Sequence, residues 1–418
     1  LDFSCPSALA SVHTPRIRGT SHDGPLSGIK VIEIGTLIAA PFAARMMADF
    51  GAEVIKIEAM GQGDPLRKWR KLHEGTSLWW YLQSRNKQSL ALDLKSAEGL
   101  SLIKQLLGDA DVLIENLRPG GLEKLGLGWD VLHALNPKLT LVRISGYGQT
   151  GPYRDRPGFG AIGEAMGGIR YTTGNPDSPP ARVGVSLGDS LASLHGVIGA
   201  LMSLLRVKTG QGDGQIVDVS LAESVFNLME SLVPEYDMLG HVRERSGGAL
   251  PGIAPSNTYL TADGAYVVIA GNSDPIYKRL MTAIGRADLA AAPEFAHNDG
   301  RAAQSGLLDA AITHWTSSLP IEQVLSALEA AEVPAGRIYS VADIVSDPHY
   351  QARDMLLDAD LPGGVSVKMP GIVPKLSETP GAVNWQGPAL GQHTDDILGG
   401  LGLTDADIQR LKTSGVVQ

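Results

Sequence analysis

The stretch GVSLGDSLASLHG, Gly184 to Gly196, holds one carboxylate, Asp189, among glycines, serines and leucines with no basic neighbour. Beyond it Leu191, Leu194, Ile198, Leu201, Met202 and Leu205 recur at helical spacing. Asp189 can therefore be an N-cap that accepts a backbone N–H. It can also be a covalent nucleophile, kept ionised by the helix dipole, with Gly188 leaving room for a substrate. Residues 184–188 also satisfy G-x-S-x-G, the serine turn of α/β-hydrolases. That turn needs an apolar strand just before it, and here stands NPDSPPAR, full of turn formers. His195 lies nearly two helical turns past Asp189, too far to share its proton, and reads as a helix-face histidine. None of the 10 histidines has paired-ligand spacing, so no metal site is expected.

Two further stretches could bind. RKWRKLHEGTSLWWYLQSRNK (67–87) sets Arg67, Lys68, Arg70, Lys71, Arg85 and Lys87 against one acid, Glu74, and carries Trp69, Trp79 and Trp80. It reads either as a solvated basic face over core tryptophans or as a site for a phosphate-bearing ligand with a flat base. ERSGGALPGIAPSN (244–257), with Gly247 and Gly248, reads either as an interdomain linker or as a lid over a reactive intermediate.

The elements that must hold these residues alternate strand and helix. IKVIEI (29–34), AEVIKIE (52–58), LALDL (90–94), DVLIEN (111–116) and LTLVRIS (139–145) read as strands. Helices fall at 41–51, with Pro41 in the first turn, and from Ser96 to Gly108. This pattern predicts an α/β fold with an open, doubly wound parallel sheet. The turn EIGTLIAAPFA has a single glycine, which disfavours NAD and FAD. A smaller α+β domain is expected over 222–330, with AYVVIA (265–270) its one clear strand. The large domain then occupies 25–221 and resumes over 331–418, where strands return and two short helices close the chain. Residues 1–24 read as a disordered tail without a signal-peptide core.

The 418 residues are 43% hydrophobic with a formal net charge of −10, which argues against nucleic acid and anionic membranes as partners. No run reads as long enough to span a bilayer. The single cysteine, Cys5, excludes a disulfide framework and fits a reducing compartment, cytoplasmic or, in a eukaryote, mitochondrial.

In order along the chain, LSGIKVIEIG…AAPFAARMMADFGAEVIKIE, GDPLR, RNKQSLALDLK, ENLRPGGLEKLGLG, ISGYGQTGP, VGVSLGD, TGQGDGQIVDVSLAES and LGQHTDDIL…SGVV resemble the family III CoA-transferases. That group contains formyl-CoA and carnitine CoA-transferases and α-methylacyl-CoA racemase. The resemblance runs from about Leu26 to the C-terminus and implies a large Rossmann-like domain built from both chain ends. It also implies a small central domain and two subunits threaded as interlocked rings. Its nucleophilic aspartate matches Asp189. Its CoA contacts map onto Leu37, Leu92, Lys95, Asn116, Leu117, Lys124 and Tyr147, with Lys95 and Lys124 facing phosphates. CoA and acyl-CoA enter as substrates, with no resident cofactor. Ser145 stands at the formyl-CoA transferase lysine and Ile38 at the acceptor-pocket glutamine, which speaks against formyl-CoA and oxalate.

The implied activity is CoA transfer from an acyl-CoA, with succinyl-CoA the expected donor, to a carboxylic and preferably dicarboxylic acid. Succinyl-CoA-dependent relatives carry a segment like PARVG, whose Arg182 is either a clamp for a remote carboxylate or a salt bridge supporting the loop. Two alternatives stand beside it. A racemase of this family uses a histidine where this chain has Phe159, which cannot take a proton. A non-catalytic CoA-binding subunit of a hetero-oligomer is the other.

Overall fold

The computed structural model describes residues 24–418. The expected tail, apart from Gly24, and Cys5 lie outside the described residues. Six strands form the main sheet: β1 (Lys30–Ile34), β2 (Glu53–Glu58), β3 (Lys87–Ala91), β4 (Val112–Glu115), β5 (Thr140–Ser145) and β6 (Ile216–Ser220). Their order is β3-β2-β1-β4-β5-β6, with every pair parallel. A parallel sheet must be covered on both faces, and alternate residues of β1 show how. Ile32 and Ile34 join a buried cluster with α2 (Ala97–Gly108) and the closing helices Thr394–Gly400 and Asp405–Thr413. Val31 joins a second cluster with α1 (Ala39–Asp49) and a long helix over Leu187–Lys208.

Three differences from the sequence reading have physical causes. The third strand starts at Lys87 because Lys87, Gln88 and Ser89, polar in sequence, are buried ladder residues. The sixth strand, Ile216–Ser220, was not among the expected ones; its polar Asp218 and half-exposed pattern hide it. The strands expected over 331–418 do not join the main sheet; Ala335–Arg337 pairs in the small unit. The others form a separate antiparallel hairpin, Leu356–Leu361 with Val365–Pro370, whose Ala359, Leu361 and Met369 pack with Leu66, Trp80 and Tyr81.

The chain divides into two compact units with bounds other than those read from sequence. The sheet-bearing unit runs to Gly167 and takes in Val185–Met229 and Met355–Gln418; the second comprises Gly168–Gly184 and Glu230–Asp354. The helix Leu221–Phe226, expected to open the small domain, stays with the large unit because Leu221 and Val225 are buried in it. The segment 168–184, expected in the large domain, belongs to the small unit, where Gly174 O accepts from Gly247 N at 3.0 Å. The small unit extends past 330 because Ala335–Arg337 pairs with Tyr266–Ala270, which also pairs with Ser256–Leu260. Around that three-stranded antiparallel sheet, helices Asp274–Ala283, Ser305–Thr316 and Ile321–Ala330 supply Leu280, Leu308, Ile312, Val324 and Leu328 to one core.

Candidate active site

Asp189 lies in the large unit, on the long helix Leu187–Lys208, here called α4; α3 is Gly160–Met166 and α5 is Leu221–Phe226. Its N-cap is Ser186, which makes no side-chain cap bond, so Asp189 is the third helical residue and not the cap. No strand runs directly into Ser186, which removes the structural basis for a serine-hydrolase turn. The Asp189 carboxylate rests on the bare Cα of Gly160: a Cβ there would fall on Oδ2, 2.6 Å from Cγ and 3.1 Å from Oδ1. Ser193 Oγ lies 2.7 Å from the carbonyl oxygens of both Asp189 and Ala39, tying the start of α4 to the start of α1. Glu164 of α3, buried, accepts from Gly188 N at 3.3 Å. His195 is tied by Nδ1 to Leu191 O at 2.9 Å and by Nε2 to Asn227 Nδ2 at 3.3 Å, away from any role beside Asp189.

The expected CoA positions all follow the C-terminal ends of parallel strands. Leu37 and Ile38 follow β1, Leu92 and Lys95 follow β3, Asn116, Leu117 and Lys124 follow β4, and Tyr147 follows β5. The sheet order reverses between β1 and β4, which is where open α/β sheets bind ligands. Across that crevice Thr36 N donates to Asn116 Oδ1 and Asn116 Nδ2 donates to Thr36 O, each at 2.9 Å. Gly146 packs on Gly158, and Gly158 on the Tyr147 ring, so the loop after β5 lies two residues from Gly160. Lys95 and Lys124 are exposed, whereas Leu92 is buried and bridged to Val417, and Ile38 is buried with its carbonyl accepting from Gln83 Nε2.

A buried charge network fixes the Leu37 turn. Glu33 accepts from Lys56 Nζ at 2.6 Å and from Lys87 Nζ at 2.8 Å, and Lys56 Nζ also meets Asp64 Oδ2 at 2.9 Å. Asp64 Oδ1 accepts from Leu37 N at 3.0 Å, holding Leu37 at φ +66°, a conformation that a leucine adopts only when its surroundings impose it. Burial alone would lower Lys56, but Glu33, Asp64 and Glu58 outweigh it and raise it. Burial, with Lys56 close by, draws Lys87 down to about 8 against the pull of Glu33.

The basic stretch 67–87 is thereby corrected. Arg67 is paired with Glu58 at 2.7 Å and stacked on Trp80, Arg85 is paired with Asp49 at 2.7 Å, and Lys87 is paired with Glu33. Three of its cations are thus buried partners of acids and do not reach a ligand phosphate. Arg70 lies over Trp79 and Lys68 donates to Gly75 O at 2.7 Å.

Arg182, Gly247 and Gly248 belong to the small unit. Gly247, at φ +64°, sits against Asn175, and a Cβ on Gly248 would stand 2.8 Å from Thr258 Oγ1, so close packing requires both glycines. Arg245 donates to Tyr171 O at 3.1 Å and anchors the same loop. Among the described residues no group of three or more His, Cys, Asp or Glu side chains is placed to hold a metal. Against the expectation of no such run, α4 has the length and composition of a membrane span, 22 residues containing an 18-residue stretch with a mean hydropathy of 1.5. It covers the sheet instead, burying Ala192, Val197, Ala200 and Leu204.

Residues 26–394 match the family described as CoA-transferase family III. The chain belongs to that family. Its relatives include the succinyl-CoA–D-citramalate CoA-transferase of Chloroflexus aurantiacus, 49% identical over 94% of this chain and 98% of that one. The same organism's succinyl-CoA–L-malate CoA-transferase beta subunit is 43% identical over 96% and 100% of the two chains. Among solved structures, a CAIB/BAIF family protein from Brucella suis superposes with a TM-score of 0.80 at 34% identity, covering 90% of this chain and 99% of that one. This family III enzyme is a CoA-transferase that uses CoA thioesters as substrates.

The sequence reading did not single out Gly160, Glu164 or Asp64 as site residues. Asp64 was within reach, since GDPLR is one of the motifs carrying the resemblance. Gly160 and Glu164 stand one turn apart in FGAIGEAMGG, a spacing visible in the sequence but meaningless until α3 is seen against α4.

Proposed function

We propose that this CoA-transferase moves CoA from succinyl-CoA to a small dicarboxylic acid, with Asp189 as the covalent nucleophile. The observation that carries the reading is the seat of the Asp189 carboxylate, in the first turn of a long helix and against a glycine. The helix dipole favours the anion there, and the bare Cα of Gly160 gives the carboxylate its seat. Relatives at 49% and 43% identity are named for succinyl-CoA with D-citramalate and L-malate, both dicarboxylates, which supports the donor and the acceptor class. Lys95 and Lys124 meet the CoA phosphates, and Leu37, Asn116, Leu117 and Tyr147 line the strand-end crevice that holds the nucleotide and pantetheine.

The cycle balances in four displacements. An Asp189 carboxylate oxygen attacks the succinyl thioester carbon, the C–S bond breaks, and CoA thiolate leaves a succinyl-aspartyl anhydride. The thiolate attacks the aspartyl carbonyl, releasing succinate and forming an aspartyl-CoA thioester. The acceptor carboxylate attacks that carbonyl and expels thiolate, giving the acceptor-aspartyl anhydride. Thiolate then takes the acceptor acyl group and frees Asp189. Each step consumes one anion and releases one, so no proton donor is needed. Both intermediate types hydrolyse, so excluding water from the site protects them. The enzyme works as an interlocked homodimer.

The test pairs a substrate panel with trapping. Purified protein is given acyl-CoAs and free acids with mass detection, and succinyl-CoA with a dicarboxylate gives the highest turnover. Asp189→Ala and Asp189→Asn abolish turnover with the fold intact, because neither side chain forms the anhydride. Hydroxylamine added with succinyl-CoA modifies Asp189 in the wild type alone. Near-normal turnover by the alanine variant refutes the nucleophile. Rapid α-proton exchange of a 2-methylacyl-CoA in deuterated water would favour a racemase, which the Phe159 side chain at the start of α3 has no group to support.

A further inference from the structure

We propose that Gly160 and Glu164, one turn apart on α3, are positioning residues that fix where the Asp189 carboxylate points. The inference rests on Asp189 being the nucleophile. A helix start normally satisfies its first amides with its own cap residue. The Ser186 cap of α4 makes no such bond, and the amide of Gly188, immediately before Asp189, donates instead to Glu164 Oε1 on the neighbouring helix. Glu164 is 1% exposed, so the bond is made away from bulk water. Gly188 has to be glycine for the helices to meet: a Cβ there would lie 2.9 Å from Gly160 O and 3.2 Å from Glu164 Cγ.

The backbone of Asp189 is therefore held on two sides, by Glu164 through Gly188 and by Ser193 through the Asp189 carbonyl. Gly160 bounds the side chain by lacking atoms, since its Cα surface is where the carboxylate rests and a methyl group would fall on Oδ2. Any residue with a side chain at 160 must turn the carboxylate to another rotamer. Addition of a carboxylate oxygen to a thioester carbonyl depends on that direction to within an ångström. Glu164 acts on the turn as a hydrogen-bond acceptor, and a glutamine oxygen accepts the same amide.

The test compares Gly160→Ala, Glu164→Ala, Glu164→Gln and Asp189→Ala in the full-length protein. Gly160→Ala lowers kcat and the rate of hydroxylamine-trapped adduct formation together by about a hundredfold, the cost of misplacing a reacting group. Binding of free CoA by calorimetry stays within about twofold, because no ground-state contact is removed. Glu164→Ala lowers kcat about tenfold, and Glu164→Gln recovers most of that loss, as expected when an acceptor and not a charge is required. Wild-type kcat in Gly160→Ala, or equal losses in both Glu164 variants, overturns the proposal. A parallel loss of CoA binding in Gly160→Ala also overturns it, since that marks a packing residue. If Gly160→Ala does not fold, the Glu164 pair decides alone. Full activity in Asp189→Ala refutes the nucleophile itself, whereas an inert Asp189→Ala with unaffected α3 variants refutes only the positioning role.

Discussion

At the scale of the residue, Arg182 offers the sharpest prediction. It is exposed, in the Gly168–Gly184 segment of the small unit. If its guanidinium grips the remote carboxylate of a dicarboxylic substrate, Arg182→Lys keeps the charge and loses the two-pronged contact. The expected result is a fall in kcat/KM for dicarboxylates of about tenfold or more, with little change for monocarboxylates. Steady-state kinetics on a matched pair such as succinate and butyrate reads the difference. Equal loss on both acids makes Arg182 a support for its loop. Residues of this kind differ in how legible they are. Asp189 stands out in the sequence as a lone carboxylate between glycines, but that local pattern fits an N-cap equally, and only the family resemblance points from it to a nucleophile. Gly160 could not be found there, because its contribution is an absence that only a neighbour's position reveals. The cations at 67–87 misled for the opposite reason. Their partners Glu58, Asp49 and Glu33 precede the stretch, Glu33 by more than thirty residues, and only the packing of α1 and the parallel sheet brings those acids to them.

At the scale of the element, the apolar strands of the parallel sheet and their order of appearance were readable, because strands buried on both faces are continuous apolar runs. The polar start of β3 was not, since burial of Lys87 and Ser89 is made tolerable by Glu33, Glu58 and the C-terminal segment, all remote in sequence. That C-terminal docking makes a pH prediction. Ser89 N donates to His393 Nδ1 at 3.1 Å and His393 N donates to Ser89 O at 3.1 Å, joining the start of the closing helices to β3. The ring accepts at Nδ1 only while neutral. Burial holds His393 below its ordinary 6.5, against the opposing pull of Asp396. The unfolded chain therefore takes up the proton first as pH falls. The His393 contribution to stability is complete above 6.5 and is lost as pH drops through the lowered folded-state value. Urea midpoints measured across that range fall for the wild type. His393→Asn, which keeps an acceptor without titrating, gives a flatter profile. Superimposable profiles for the two proteins would remove His393 as the cause.

At the scale of the whole molecule, the division into two units was anticipated but its bounds were not. Contacts such as Gly174 with Gly247, and the pairing of Ala335–Arg337 with Tyr266–Ala270, join segments that composition treats as belonging elsewhere. The path of the chain bears on assembly. It leaves the sheet-bearing unit after Met229 and returns to it at Met355, where Val417 is bridged to Leu92 and Gln418 Oε1 accepts from Gly61 N. Each unit also presents apolar side chains to solvent: Ile198, Met202 and Leu205 on α4 of the large unit, and Tyr236, Met238 and Leu239 on Leu232–Leu239 of the small one. Exposed apolar groups gathered on one helix fit a surface that assembly would cover. We expect a homodimer that does not separate on dilution, because threaded rings part only by unfolding and dimerisation is then linked to folding. Sedimentation velocity at nanomolar concentration yields the dimer mass, and urea unfolding depends on protein concentration. A folded monomer at low concentration contradicts threading. One similar protein is named as a beta subunit, so the same experiment is repeated with activity measured on the chain expressed alone. Turnover by the purified homodimer supports a self-sufficient enzyme, whereas a stable but inert dimer counts against self-sufficiency and favours a second, different subunit.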